Sequence, residues 1–150
     1  MPVGESKRPY FPHLLPVEVW LWRAFLIKFE EKWDRFEYDV HVGAGADLSA
    51  APPDEFTANF TTLTQKRIDA VGWKGNTPTI FEVRERASLE MVGKLEGYGI
   101  LFARQFPTVP IPTLWLVCRF ASPDDLSVAA LKKIAVARIE PPEPSPSANA

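Results

Sequence analysis

The chain has 150 residues and a mass of 16.9 kDa, 46% of it apolar and 24% charged, which suits one domain with its own core and is too short for two of ordinary size. A formal net charge of -2 and a pI near 5.7 provide no general basic field, so tight, sequence-blind wrapping of nucleic acid is not expected, though net charge does not exclude a local basic site. One cysteine, Cys118, excludes an internal disulfide framework and a Cys-rich metal cluster.

No apolar run approaches the roughly 20 residues that span a bilayer, and the opening residues lack the apolar stretch of a signal peptide, so the expectation is a soluble protein, intracellular at synthesis. Proline is the odd component. Eight of its 15 copies fall in residues 1–16 and 141–150. Because proline lacks the N–H that helices and inner strands use, these stretches read as an extended N-terminal arm and a C-terminal tail around one domain, residues 17–140.

Val17 to Trp33 has no breaker and follows Pro16, a residue suited to a helix start. Its apolar residues go most of the way round the helix, so it is either buried in its own domain or presents a second face to another subunit. Phe36 to Gly43 alternates, with Phe36, Tyr38, Val40 and Val42 expected on one face of a strand. Residues 44–60 read as a loop with paired prolines. Gln65 to Trp73 and Thr79 to Glu85 then form two strands of a hairpin around Gly75, Asn76 and Pro78.

Ser88 is a plausible N-cap for a helix running to Phe106, whose Gly93, Gly97 and Gly99 are expected to permit close packing on a sheet. Thr113 to Phe120 is an almost continuous apolar run, as in a central strand covered on both faces. A short helix, Pro123 to Leu131, and a last strand, Lys132 to Glu140, complete an α/β chain of mixed α+β type with a central mixed sheet flanked by helices.

On the hairpin, Asp69 and Glu82 stand on adjacent strands, a placement that can set two carboxylates side by side for a hard cation such as Mg²⁺. The strings RIDAVGW and TIFEVRE, followed by a helix, resemble the PD-(D/E)XK nuclease superfamily over roughly Val17 to Phe120. The resemblance implies a restriction-endonuclease-like fold in helix, strand, strand, strand, helix, strand order. It places Asp69 and Glu82 on the metal-binding positions and Arg84 where the family has its catalytic Lys. It also implies an acidic residue on the first helix, with Glu18, Glu30 and Glu31 as candidates, and a polar residue on the later helix, Glu90 or Lys94.

Arginine stays protonated and presents a planar fork, which suits clamping a phosphate better than activating a nucleophile; Lys66 or Lys74 could stand in for the missing lysine. The simpler alternative is a solvated strand face on which Arg84 and Arg86 pair with the two acids. His13 and His41, without a cysteine partner, make a zinc site unexpected, with His41 on an exposed strand face. Cys118 is expected to be a buried, inert thiol.

Two functions follow. The arms, the all-round apolar helix and the five tryptophans and ten phenylalanines suit a structural subunit of a large multi-protein assembly, such as a virion neck or tail of a tailed bacteriophage, built on an inactive nuclease-like fold. Its partners would be other protein subunits, reached through the arms and the first helix, and it would need no cofactor. The alternative is a Mg²⁺-dependent DNA nuclease, with Asp69, Glu82 and Arg84 as its site.

Overall fold

The computed structural model describes Phe11 and residues 13–45 and 65–146. Most of the loop expected at residues 44–60 and the outer parts of both arms lie outside them. The elements are α1 (Pro16–Phe29) with a 3₁₀ turn at Glu30–Lys32, β1 (Arg35–Val42), β2 (Lys66–Lys74), β3 (Thr77–Val83), α2 (Leu89–Gln105), β4 (Thr113–Cys118), α3 (Pro123–Leu131) and β5 (Ile134–Arg138). Pro16 opens α1, and Ser122 caps α3 by accepting the Asp125 N–H at 3.1 Å. Ser88 occupies the N-cap of α2 without a side-chain bond.

The strands form one sheet in sequence order, antiparallel from β1 to β3 and parallel from β3 to β5, with α2 and α3 as the two crossovers. On one face α2 and α3 cover Val71, Ile80, Leu116 and Cys118. On the other, α1 packs Leu21, Trp22 and Phe25 on Phe81, Val83 and Val117. Among the described residues no helix is long and apolar enough to cross a membrane.

The aromatic richness is largely spent inside the domain. Trp22, Phe25, Phe29, Trp33, Phe36, Phe81 and Trp115 pack together in the α1-side core, mostly edge to face, with Trp22 and Phe25 stacked. Trp33 donates its indole N–H to Thr79 Oγ1 at 3.1 Å and Trp22 to the Tyr38 hydroxyl at 3.2 Å. Parts of both proline-rich ends also pack here. Phe11 meets Tyr38 edge to face at 4.7 Å, Leu14 and Pro141 are buried, and Glu143 accepts the indole N–H of Trp20 on α1. Ile27 is the large apolar residue that α1 leaves most open, at 80% exposure.

Two sequence expectations are corrected. Phe36 and Tyr38 pack on the α1 side while Val40 and Val42 pack on the α2 side, because Asp39 between them takes a left-handed φ of 53° that breaks the strict alternation. Gly93 and Gly97 do not ease helix-sheet packing, since a Cβ on either would meet nothing within 4 Å; Gly99 alone approaches the sheet, at Leu114.

A candidate active site where two strands part

β2 and β3 stay paired from Lys74 opposite Thr77 to Ala70 opposite Phe81, and the next pair in that register is Asp69 with Glu82. There the ladder stops. Val83 gives its N–H to the Asp69 side chain, Oδ2, at 2.9 Å, while β3 keeps its register with β4 through Val83 opposite Val117. The β1–β2 ladder is interrupted in the same row, where Asp39 stands across from Asp69. The backbone carbonyl of Asp69 accepts the Nε2–H of His13 at 3.0 Å instead.

The sheet thus opens a notch with two carboxylates at its mouth. Glu82 is 2% exposed, which overturns the solvated-face reading. Its Oε1 lies 3.4 Å from Arg84 Nε, and its Oε2 is buried with no hydrogen-bond partner among the described residues. Glu18 comes from the first turn of α1: its Oε1 accepts the Leu15 N–H at 3.0 Å and its Oε2 is 3.8 Å from Arg84 Nη1. One guanidinium therefore bridges Glu82 and Glu18.

Electrostatics marks the same pair. Burial, reinforced by the neighbouring Asp69 charge and opposed by Arg84, pushes the Glu82 carboxyl up to about 8. Burial raises Asp69 too, against the pull of the Val83 N–H. On α2, burial followed by the Glu82 and Asp69 charges pushes the Tyr98 hydroxyl up to about 12. Asp39, one strand away from Asp69, behaves oppositely, held low by the hydrogen bonds of Arg67 at 2.6 and 2.5 Å. Position, not residue type, separates the two aspartates.

The other sequence candidates sort cleanly. Glu18 joins the site, whereas Glu30 and Glu31 are exposed in the 3₁₀ turn. Lys94 on α2 lowers the Glu82 carboxyl electrostatically and pairs at 3.8 Å with Glu90, which is itself largely exposed. Lys74 pairs with Asp34 at 3.5 Å at the opposite end of β2, and Lys66 is exposed at the start of that strand. Neither replaces the missing lysine.

Two neighbours went unread in the sequence. His13 lies 4.0 Å from Asp69 Oδ1, and Tyr98 stands one turn after Lys94 on α2, a spacing that could have signalled a shared face. His41, expected to be exposed, is partly buried and 3.6 Å from Asp39 Oδ2. Cys118 is buried and its thiol is pushed up to about 11 by burial, as an inert thiol should be.

Among the described residues no group of three or more His, Cys, Asp and Glu side chains is placed to hold a metal ion. A pair remains. Mg²⁺ keeps several waters and is often held by one or two carboxylates, so Asp69 and Glu82, with the unpartnered Glu82 Oε2 and two raised carboxyls, fit such a cation chemically.

A mixed five-stranded sheet with α1 on one face and α2 and α3 on the other, notched between its second and third strands, is a fold this chain has in common with two solved structures. The EndoMS–dsDNA complex shares it, with a TM-score of 0.51 and 13% identity over 92% of this chain and 51% of that one. A repair endonuclease from Pyrococcus abyssi does so with a TM-score of 0.50 and 12% identity over 91% and 50%. The chain spans about half the length of each. No protein-family model and no curated protein matches it.

Proposed function

We propose that the chain is a divalent-cation-dependent DNA nuclease, with Asp69 and Glu82 holding the cation and Arg84 holding a phosphate of the substrate. The observation that carries this reading is the Asp69–Glu82 row at which the β2–β3 ladder ends, Asp69 half-buried and Glu82 buried, with Glu82 Oε2 lacking a hydrogen-bond partner among the described residues. Holding two carboxylates together with little solvent costs stability, and such pairs collect where chemistry needs them. A bound Mg²⁺ or Mn²⁺ would supply Lewis acidity toward a phosphodiester oxygen. Arg84, 41% exposed, keeps part of its fork open to solvent beside the pair. The DNA bound in the EndoMS complex supports DNA as the substrate class.

A second reading, an inactive scaffold on the same fold, is favoured by the Arg84 bridge, which already engages Glu82 and Glu18. The bacteriophage neck or tail and the docking of other subunits draw no support from the described residues or from the likenesses.

Purified protein incubated with DNA and Mg²⁺ or Mn²⁺ separates the two. The nuclease reading expects cleavage that is lost in Asp69→Ala and Glu82→Ala. No metal-dependent cleavage, or cleavage indifferent to both changes, leaves the scaffold.

A further inference from the structure

The three parallel strands β3, β4 and β5 all end at the sheet edge that carries Glu82. Arginines cluster just there. One step past Val83 opposite Val117 opposite Ala137, the same register sets Arg84, Cys118 and Arg138 in one row, so Arg84 and Arg138 stand two strand spacings apart, roughly 9.6 Å. Beyond the row, the β3–β4 pairing resumes at Arg86 opposite Phe120.

Two guanidiniums lie over the Phe120 ring, Arg86 at 4.6 Å and Arg119 at 4.8 Å from its centre. Their roles differ. Arg119 spends its fork on Glu140 in two bonds of 2.8 Å. Arg86 and Arg138 are exposed and neither forms an ion pair with a described acidic residue. Stacking fixes the plane of Arg86 on Phe120 and leaves its N–H edge for an outside acceptor, at little cost in ordering.

We propose that Arg86, braced on Phe120, and Arg138 are phosphate contacts that, with Arg84, position a DNA backbone across the strand ends. Resting on the nuclease reading, it explains how a chain with no overall basic field takes a polyanion: through a few arginines gathered at the strand ends, not through net charge. Arg119 is not part of it, because Glu140 already satisfies its fork.

The test is the affinity of the full chain for a fluorescein-labelled DNA duplex, by anisotropy over a salt series in EDTA so that no cleavage occurs. Arg86→Ala and Arg138→Ala should each weaken binding roughly five- to ten-fold near 0.1 M salt and lower the slope of log K against log salt by about 0.9. Arg23→Ala, removing an exposed arginine from α1, should change neither. Phe120→Leu should weaken binding and leave the slope unchanged, since the charge stays and only the brace is lost. Equal losses in Arg23→Ala, or unchanged slopes in both edge variants while the wild type binds, overturn this inference and leave the nuclease reading standing. A wild-type chain that binds no duplex at low salt overturns both.

Discussion

Asp69 takes the N–H of Val83 on its side chain at 2.9 Å, in the place where a backbone rung between β2 and β3 would otherwise continue. The carboxylate thereby becomes part of the architecture: it ends one ladder, holds the strands apart and lies beside Glu82 in the gap. The same bond opposes the rise of the Asp69 carboxyl that burial imposes.

The first prediction concerns pH. Between the ordinary value of 4.5 and about 8, the folded chain keeps a proton on Glu82 that the unfolded chain has released. Stability from this group is therefore complete below pH 4.5 and is lost as pH rises through 8, and Asp69, also raised, acts in the same direction. Glu82→Gln should flatten the fall, making the variant more stable than wild type above pH 8 by an amount on the order of a few kcal/mol, read from urea denaturation at a series of pH values. A wild type that gains stability from pH 6 to 9 relative to the variant would contradict this.

A cation held by Asp69 and Glu82 would have to displace that proton. Mn²⁺ or Mg²⁺ at about a hundredfold its dissociation constant should stabilise the wild type by about 2.7 kcal/mol, a rise of roughly 5–10 °C in Tm for a chain of this size. The shift should grow from pH 6 to pH 9 and vanish in Asp69→Asn and Glu82→Gln. Differential scanning fluorimetry with and without EDTA measures it.

Arg84→Lys exchanges a fork for a compact ammonium at the position where the nuclease resemblance expects lysine. Released from the bridge to Glu18, the site should cleave DNA roughly tenfold faster or more with Mg²⁺. Arg84→Ala should be slower than either. Initial rates on a labelled duplex decide, and a lysine variant slower than wild type would show that the bridge itself is required.

Gly72 lies under the aromatic core: a Cβ there would sit 2.9 Å from Trp33 Cδ1 and 3.0 Å from both Phe36 Cε1 and Phe81 Cε2. Gly72→Ala should destabilise by about 1–3 kcal/mol through overpacking, measured by chemical denaturation.

Gly93→Ala and Gly97→Ala should do the reverse. Both glycines lie within α2 and face open space, so each alanine should add about 1 kcal/mol by helix propensity. The paired contrast with Gly72→Ala separates burial from backbone freedom within one protein.

Much of this molecule is local and was legible in the chain. Pro16 and Ser122 announce helix starts, the Gly75–Asn76 turn announces a hairpin, and RIDAVGW and TIFEVRE place Asp69 and Glu82 on adjoining strands. Glu18 could not be chosen over Glu30 and Glu31, because helix phase relative to the sheet is set only when Leu21, Trp22 and Phe25 find their packing partners. Asp39 looked like one more alternating polar residue, and nothing in its neighbours signals the left-handed turn that sends Val40 and Val42 to the other face.

The sequence by itself determined the order of elements and the two carboxylates, since periodicity, turns and caps act over a few residues. It took the packed layers to bury Glu82 beside a half-buried Asp69, to set Arg84 between two of three acids, to bring His13 onto Asp69, and to fill the core with much of the aromatic surplus. Burial and long-range pairing are properties of the packed layers: each depends on which residues of distant segments arrive at the same place, and no local pattern carries that information.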